Sequence, residues 1–362
     1  MKPPTNNVKL VPNLNSKHHY VLHYRNLKLY LDLGLKLTKV HKILKFTQRP
    51  WLKTYIDFNT QHRTRATTSF EKDFFKLMNN AVFGKTMENL RNRMNLEMVT
   101  DSRKARKLAA QPEFYSFTEF DEDLFAVQRN RRTLTLCRPV QVGMSILSIS
   151  KVLMYKFHYN IMLDKYGDRA LLLFTDTDSL TYQVTTPTLE QDLRSLRQHF
   201  DFSDYPTTHP LHDITNKKKI GLFKDELNGS HGLEFVGLRP KMYSLLGESG
   251  VKFAAKGISK VVAKQQLKHH IFLQCLKSLA PTTVEQSRIG SELHKVYSIL
   301  QRKRALSAYD DKRWLLEDGV TSYAYGHYRI AVSIILILKM TCFPYYFFLM
   351  MVFIFQESMD ET

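Results

Sequence analysis

The stretch Ala170-Leu-Leu-Leu-Phe-Thr-Asp176-Thr-Asp178-Ser179-Leu-Thr-Tyr-Gln-Val184 decides the fold. Its continuous apolar run is typical of a buried strand, and after the acidic turn every second residue is apolar, as in a second strand. The pattern predicts a β-hairpin with two carboxylates at its tip. Because close like charges are unfavourable without a cation, Asp176 and Asp178 are candidate ligands for Mg²⁺ or Mn²⁺. A plain polar turn is the alternative, and it fits poorly after five apolar residues.

A helix is predicted to begin at Thr68, because Thr68-Ser-Phe-Glu71 has the spacing of a capping box. Its buried stripe is expected to hold Phe70, Phe74, Phe75, Met78, Ala81 and Val82. Its other face carries Lys72, Lys76, Asn80, Phe83 and Gly84. Such a face can bind a triphosphate through the cation and pack beside a base, which can approach the backbone closely at the glycine. A solvated helix face ending in glycine is the alternative.

A second helix is expected over residues 140–162, packed beneath the hairpin and ending near Gly167. Its apolar stripe is predicted to consist of Ile146, Ile149, Leu153, Phe157 and Ile161. The methionine and aromatic content of this segment indicates core packing and not a cofactor site.

The composition indicates a polyanionic partner. The 362 residues include 53 Lys and Arg against 34 Asp and Glu, a formal net charge of +19. With 43% hydrophobic residues the chain is not disordered by composition, so the excess charge favours nucleic acid or an anionic membrane surface. Three widely spaced cysteines predict neither a disulfide framework nor a metal site, which favours a reducing intracellular compartment such as the nucleus.

The residues from 330 to 355 differ in kind from the rest. They are almost entirely apolar and long enough to span a bilayer, but Pro344 interrupts them. The segment 330–362 is interpreted as non-native sequence from read-through of a gene boundary. A membrane anchor and a buried core helix are the alternatives, and we assign no membrane partner.

Four motifs together resemble family B DNA polymerases. Lys76-Leu-Met-Asn-Asn80-Ala-Val-Phe83-Gly84 is similar to the fingers motif Lys-x-x-x-Asn-Ser-x-Tyr-Gly, and Asp176-Thr-Asp178-Ser179 matches the palm motif Asp-Thr-Asp-Ser. Downstream, Lys241-Met-Tyr243 resembles the Lys-x-Tyr element that contacts primer-template, and Lys256-Gly257-Ile-Ser-Lys260 resembles the basic segment after it. The order and spacing resemble the protein-primed polymerases of Polinton or Maverick transposons and related viruses over residues 8–329.

The resemblance implies a role for each matching residue. Lys76 would neutralise the incoming deoxynucleoside triphosphate, and Asn80, Phe83 and Gly84 would line the nascent base pair. Asp178 would bridge two Mg²⁺ ions, with Asp176 as a weaker or outer ligand. Lys241, Tyr243 and Lys256 would hold the DNA primer-template, and a terminal protein is a candidate primer.

The sequence also departs from the family pattern. Ala81 replaces the usual serine and Phe83 the usual tyrosine, so we expect altered fidelity or sugar selection more than altered chemistry. The upstream palm motif Asp-x-x-Ser/Asn-Leu-Tyr is not found before Lys76, and Asp32 and Asp57 lack the Leu-Tyr that follows its aspartate. We therefore expect a C-terminal part of a polymerase, without the exonuclease domain, that is inactive by itself.

The expected fold class is α+β, a partial polymerase right hand. Its palm would contain an antiparallel sheet, its fingers would be helical and its thumb mostly helical. The expected segments are an N-terminal palm and fingers-proximal part (1–65), fingers (66–135), palm with the catalytic hairpin (136–250), thumb (251–329) and the hydrophobic tail (330–362).

Three other functions remain open from the sequence. A basic nucleic-acid-binding remnant without catalysis would share every feature except turnover. A haloacid-dehalogenase-type phosphatase also uses an Asp-x-Asp pattern after an apolar strand, but it would leave the charge and the fingers-like helix unexplained. A membrane-anchored basic protein would depend on residues 330–355.

Overall fold

The computed structural model describes residues 10–292, 295–318, 321–332 and 347–353. The helices are α1 (Tyr24–Asp32), α2 (Lys53–Arg65), α3 (Ser69–Thr86), α4 (Ser102–Ala109), α5 (Val140–Phe157), α6 (Leu163–Tyr166), α7 (Leu189–Ser195), α8 (Lys260–Gln266), α9 (His269–Ser278) and α10 (Tyr328–Val332). The strands are β1 (Asn95–Val99), β2 (Phe114–Asp121), β3 (Leu124–Arg129), β4 (Ala170–Asp176), β5 (Ser179–Val184), β6 (Phe200–Asp201), β7 (Phe223–Asp225), β8 (Gly232–Arg239), β9 (Met242–Gly247), β10 (Gly250–Ala255), β11 (Thr282–Glu292), β12 (Lys295–Leu306), β13 (Trp314–Leu315), β14 (Ser322–Tyr323) and β15 (Phe347–Phe353).

The chain divides into two compact units. The first comprises residues 1–50, 148–286 and 302–362, and the second comprises residues 51–147 and 287–301.

The first unit contains a sheet whose strands run in the order β10-β9-β8-β15-β5-β4, with β7 also paired to β15 and β6 to β7. Neighbouring strands along this path are antiparallel. β15 therefore lies between the β4–β5 hairpin and the three-stranded β8–β10 meander. Its residue Val352 lies opposite Ser179, the first residue of β5.

Two hydrophobic cores stabilise the first unit. One surrounds β5, whose Tyr182 and Val184 are fully buried, together with Phe157 of α5 and Met162 of the π-helix that follows it. The other packs α9, through the fully buried Phe272, against Met242 of β9. These cores fix the two strand pairs that end at the β4–β5 and β8–β9 turns.

The second unit joins a helical hairpin to a small sheet. α2 and α3 pack antiparallel, with the His62 and Phe75 rings stacked 5.1 Å apart and the Asn59 amide donating to Asn79 at 2.9 Å. The antiparallel sheet has the order β1-β3-β2. α4 covers one face of it through Ala105 and Leu108.

Several local predictions are confirmed. The hairpin of β4 and β5 forms, and α3 begins with a capping box in which Thr68 and Glu71 bond each other's backbone N–H. α5, the π-helix and α6 cover residues 140–166 and end at Gly167, whose φ is 53°.

The predicted buried stripes are partly wrong. Phe70, Phe74 and Ala81 are exposed, because α3 packs mainly against α2 and this contact uses the strip around Phe75. Leu153 is exposed while Met154 is buried. Met154 and not Leu153 therefore shares the inward face of α5 with Phe157, three residues further along the helix.

The expected segments also need correction. Residues 251–329 contain more strand than helix, because β11 and β12 occupy the place where a mostly helical thumb was predicted. Residues 66–135 hold three strands besides α3 and α4. In the tail, residues 347–353 form a strand and not a core helix, while residues 333–346 and 354–362 lie outside the described residues. Within the described part of the chain, no helix is long and apolar enough to cross a membrane.

Candidate active site

The acidic turn has a tightly fixed backbone. Asp176 pairs with Ser179, so the turn consists of Thr177 and Asp178. The Asp178 N–H donates to the Asp176 carbonyl at 2.6 Å, and the Ser179 hydroxyl donates to the same oxygen at 3.3 Å. Thr177 has a φ of 59°, which is unusual for a β-branched residue. Such backbone conformations concentrate at functional sites, where the surrounding structure holds them.

A second turn brings a lysine to the first. Pro240 and Lys241 connect β8 to β9, and the φ of Lys241 is 60°. Its Nζ lies 3.1 Å from Oδ2 of Asp176, and both side chains are partly exposed. The predicted palm carboxylate and the predicted Lys-x-Tyr lysine, far apart in the sequence, are therefore in direct contact.

Tyr243 completes this side of the site. Its ring centroid lies 4.5 Å from that of Phe174 on β4 and 6.0 Å from that of Phe235 on β8. Burial raises the pKa of Tyr243, and the nearby carboxylates of Asp176 and Glu226 raise it further. The phenol consequently stays protonated at neutral pH and can donate a hydrogen bond.

Lys256 lies next to the same turn through its backbone, because its N–H donates to the Lys241 carbonyl at 3.0 Å. Its side chain is exposed. Lys303 of β12, which the sequence analysis missed, donates from Nζ to the Gly257 carbonyl at 2.9 Å. The sequence marks Lys303 only as part of the basic run Arg302-Lys303-Arg304, and this run does not predict a contact with Gly257.

The two carboxylates of the turn are the candidate donors for a divalent cation. Asp176 and Asp178 offer the carboxylate oxygens that Mg²⁺ prefers. Among the described residues, however, no group of three His, Cys, Asp or Glu side chains could hold a metal ion. The Lys241 ammonium also neutralises Asp176.

The predicted nucleotide-binding residues belong to α3 in the second unit. Lys76 and Asn80 are exposed on it, and Phe83 is half-buried. A Cβ built on Gly84 would meet no heavy atom within 4 Å. The described structure itself therefore gives no steric reason for glycine at this position, and the space beside its backbone is open to a ligand.

Ser244, His269 and Glu234 form a row of hydrogen-bonded side chains in the first unit. His269 Nδ1 lies 2.8 Å from the Ser244 hydroxyl, and its Nε2 lies 3.0 Å from Glu234. Ser244 is fully buried, so a substrate cannot reach its hydroxyl as it would reach a hydrolase nucleophile. These hydrogen bonds instead connect His269, at the start of α9, to Glu234 of β8 and Ser244 of β9.

No family model, curated protein or solved structure matches the chain. The functional assignment rests on the residues and contacts described above.

Proposed function

We propose that this chain is part of a family B DNA polymerase, which transfers deoxynucleotides from their triphosphates to a primer 3′-hydroxyl under direction of a template. By itself it binds primer-template and does not extend it. The observation that carries the proposal is the 3.1 Å contact between Lys241 and Asp176, which joins two of the four resembling motifs through the β8–β9 and β4–β5 turns.

The acidic residues and the lysine of the two turns would have different roles. A Mg²⁺ ion bound by Asp176 and Asp178 would stabilise negative charge on the reacting phosphates. The Lys241 ammonium can pair with the Asp176 carboxylate or with a phosphate of the primer. A bound primer phosphate would therefore replace Asp176 as its partner. That exchange would leave the Asp176 carboxylate available to a cation.

On α3, the exposed Lys76 would bind the triphosphate as a point charge. Asn80 and Phe83 would contact the base pair, and Gly84 would permit close approach. Phe83 lacks the hydroxyl of the tyrosine in the family motif, but its ring would keep the apolar contact with the sugar or base.

Primer-template binding tests the proposal. A labelled duplex with a recessed 3′ end should bind the full chain, and Lys241→Ala should weaken binding several-fold by loss of a phosphate contact. Lys277→Ala, which removes an exposed lysine from α9, is the matched control and should have no effect. Equal binding by the wild-type chain and Lys241→Ala would contradict the assigned role.

Primer extension with the same duplex, Mg²⁺ and all four deoxynucleotides should give no product from the chain alone. Incorporation that depends on the template and disappears in Asp178→Ala would show that the chain is a complete catalyst. It would retain the polymerase assignment but overturn the proposed inactivity.

The second candidate is a nucleic-acid-binding remnant without catalysis, favoured by the Lys241 ammonium in a place where a cation would sit. Its affinity would fall steeply with salt and would not change with Mg²⁺ or nucleotide. Nucleotide binding that is lost in Lys76→Ala, and kept in the exposed control Lys107→Ala, would separate the polymerase part from the remnant. A covalent phosphate on Asp176 would instead identify the phosphatase.

A further inference from the structure

Tyrosine side chains gather where α1 meets the C-terminal half of α5 in the first unit. The rings of Tyr30 and Tyr155 lie 6.2 Å apart, and those of Tyr155 and Tyr159 lie 6.5 Å apart. Burial and the neighbouring hydroxyls, including that of Tyr20, raise the pKa of Tyr30 to about 12. Tyr20 and Tyr159 are nevertheless 54% and 43% exposed. We call Tyr20, Tyr30, Tyr155 and Tyr159 the tyrosine surface.

The residues that follow α1 form a second unusual feature. Residues 35–50 adopt neither helix nor strand, and all of them are exposed. Lysines recur at every third position: Lys36, Lys39, Lys42 and Lys45. No Asp or Glu occurs between Asp32 and Asp57, and none of these lysines forms an ion pair with a described residue. We call residues 35–49 the basic segment.

The two features adjoin each other. The His41 ring of the basic segment lies 4.2 Å from the ring of His19, and His19 directly precedes Tyr20. From Lys17 to Arg49 the chain carries eight Lys and Arg and a single Asp. Exposed aromatic rings beside an uncompensated row of cations are the two parts of a site for a single strand, whose bases stack and whose phosphates pair with lysine.

We propose that the tyrosine surface and the basic segment bind single-stranded nucleic acid, with bases on the rings and phosphates on the lysines. Three residues of chain span at most about 10 Å, so successive lysines can reach different phosphates. A duplex keeps its bases stacked inside and offers only phosphates to this surface. The site shares no residue with the acidic turn or with α3, so it goes beyond the proposed function and does not depend on it.

Fluorescence anisotropy with the full chain tests the rings. The probes are labelled oligo-dT and oligo-U of about 20 nucleotides and a duplex of equal length. Tyr20→Ala with Tyr159→Ala should weaken single-strand binding about tenfold or more, while the corresponding Phe variants should bind like the wild type. Tyr115→Ala, at a tyrosine of the second unit that is 64% exposed, is the control and should change nothing. Tighter binding of dT assigns the site to DNA, and tighter binding of U assigns it to RNA.

Salt dependence tests the lysines. Changing Lys36, Lys39, Lys42 and Lys45 to Gln should lower the slope of log affinity against log salt by about 0.7 per lysine. The control changes Arg103, Arg106, Lys107 and Arg131 to Gln, four exposed cations of the second unit, and should leave the slope unchanged. Lys277→Ala, at an exposed lysine of α9, should also leave single-strand binding unchanged.

The proposal is overturned if the alanine pair binds oligo-dT and oligo-U as tightly as the wild type. It is equally overturned if both sets of four substitutions lower the slope alike, because binding would then follow total charge. Unaltered circular dichroism spectra of the variants would show that a loss of binding is not a loss of folding.

Discussion

Thr177 and Lys241 are non-glycine residues with positive φ, and each lies in a turn at the Asp176–Lys241 ion pair. Each such conformation costs about 1–3 kcal/mol. The sequence motifs indicated Asp176, Asp178 and Lys241 as separate candidates. Their contact was not predictable from spacing, because it depends on which strands neighbour each other in the sheet and on the direction of two turns.

Gly84 gives a prediction at the scale of one residue. Because a Cβ would meet nothing there, Gly84→Ala should stabilise α3 by about 0.5–1 kcal/mol through reduced backbone entropy of the unfolded chain. It should at the same time weaken deoxynucleotide binding, since the added methyl group occupies the space proposed for the base. Urea unfolding and nucleotide titration measure the two effects.

Gly143→Ala is the matched control for that change. A Cβ at Gly143 would overlap the side chains of Met87 and Thr86, so the same substitution should destabilise the protein. A lower stability in Gly84→Ala as well would mean that its surroundings are not open.

Glu88 gives a prediction of pH dependence. Arg93 most strongly, and then Lys85 and Arg138, lower the pKa of Glu88 to about 2 from a usual value of 4.5. A lowered carboxyl pKa adds stability above pH 4.5, and that stability is lost as the pH falls toward 2. The melting temperature of Glu88→Gln should therefore fall less than that of the wild type across this range. Glu119→Gln, at an exposed strand position, should melt like the wild type at each pH.

At the scale of elements, local chemistry decided which predictions succeeded. The start of α3 is determined by neighbouring residues that form a capping box. The β4–β5 hairpin is likewise determined locally, by an acidic turn between two apolar runs. The exposure of Phe70 and the inward position of Met154 depend on what packs against each helix. Helical periodicity alone does not carry this information.

The placement of β15 gives a prediction for an element. Because β15 pairs with β5 on one side and with β7 and β8 on the other, Met350→Pro should remove a backbone donor from the middle of the sheet and lower the urea midpoint. Hydrogen exchange of the β5 amides should accelerate. Gln48→Pro, in an exposed segment without strand or helix, should leave both measurements near the wild type. Unchanged exchange in Met350→Pro would contradict this sheet order.

For the whole molecule, the net charge of +19 is distributed unevenly, and the basic segment carries five cations without a carboxylate. Its exposed backbone, free of helix and strand, should make Lys36, Lys39, Lys42 and Lys45 the first sites of limited trypsin digestion. Mass spectrometry of the early fragments identifies the cuts, and bound oligonucleotide should slow them. First cleavage at the equally basic but helical α4 would be the contrary result.

The central position of β15 has a consequence during synthesis. β5 ends at Val184 and β15 begins at Phe347. A ribosome must therefore add the whole intervening chain before β15 can join the β4–β5 hairpin to the β8–β10 meander. At 5–20 residues per second this takes roughly ten to thirty seconds. Until β15 exists, β5 would present an open edge to other nascent chains, and so would β7 and β8 once they have been synthesised. The cell's demand for chaperones should therefore be greatest late in translation.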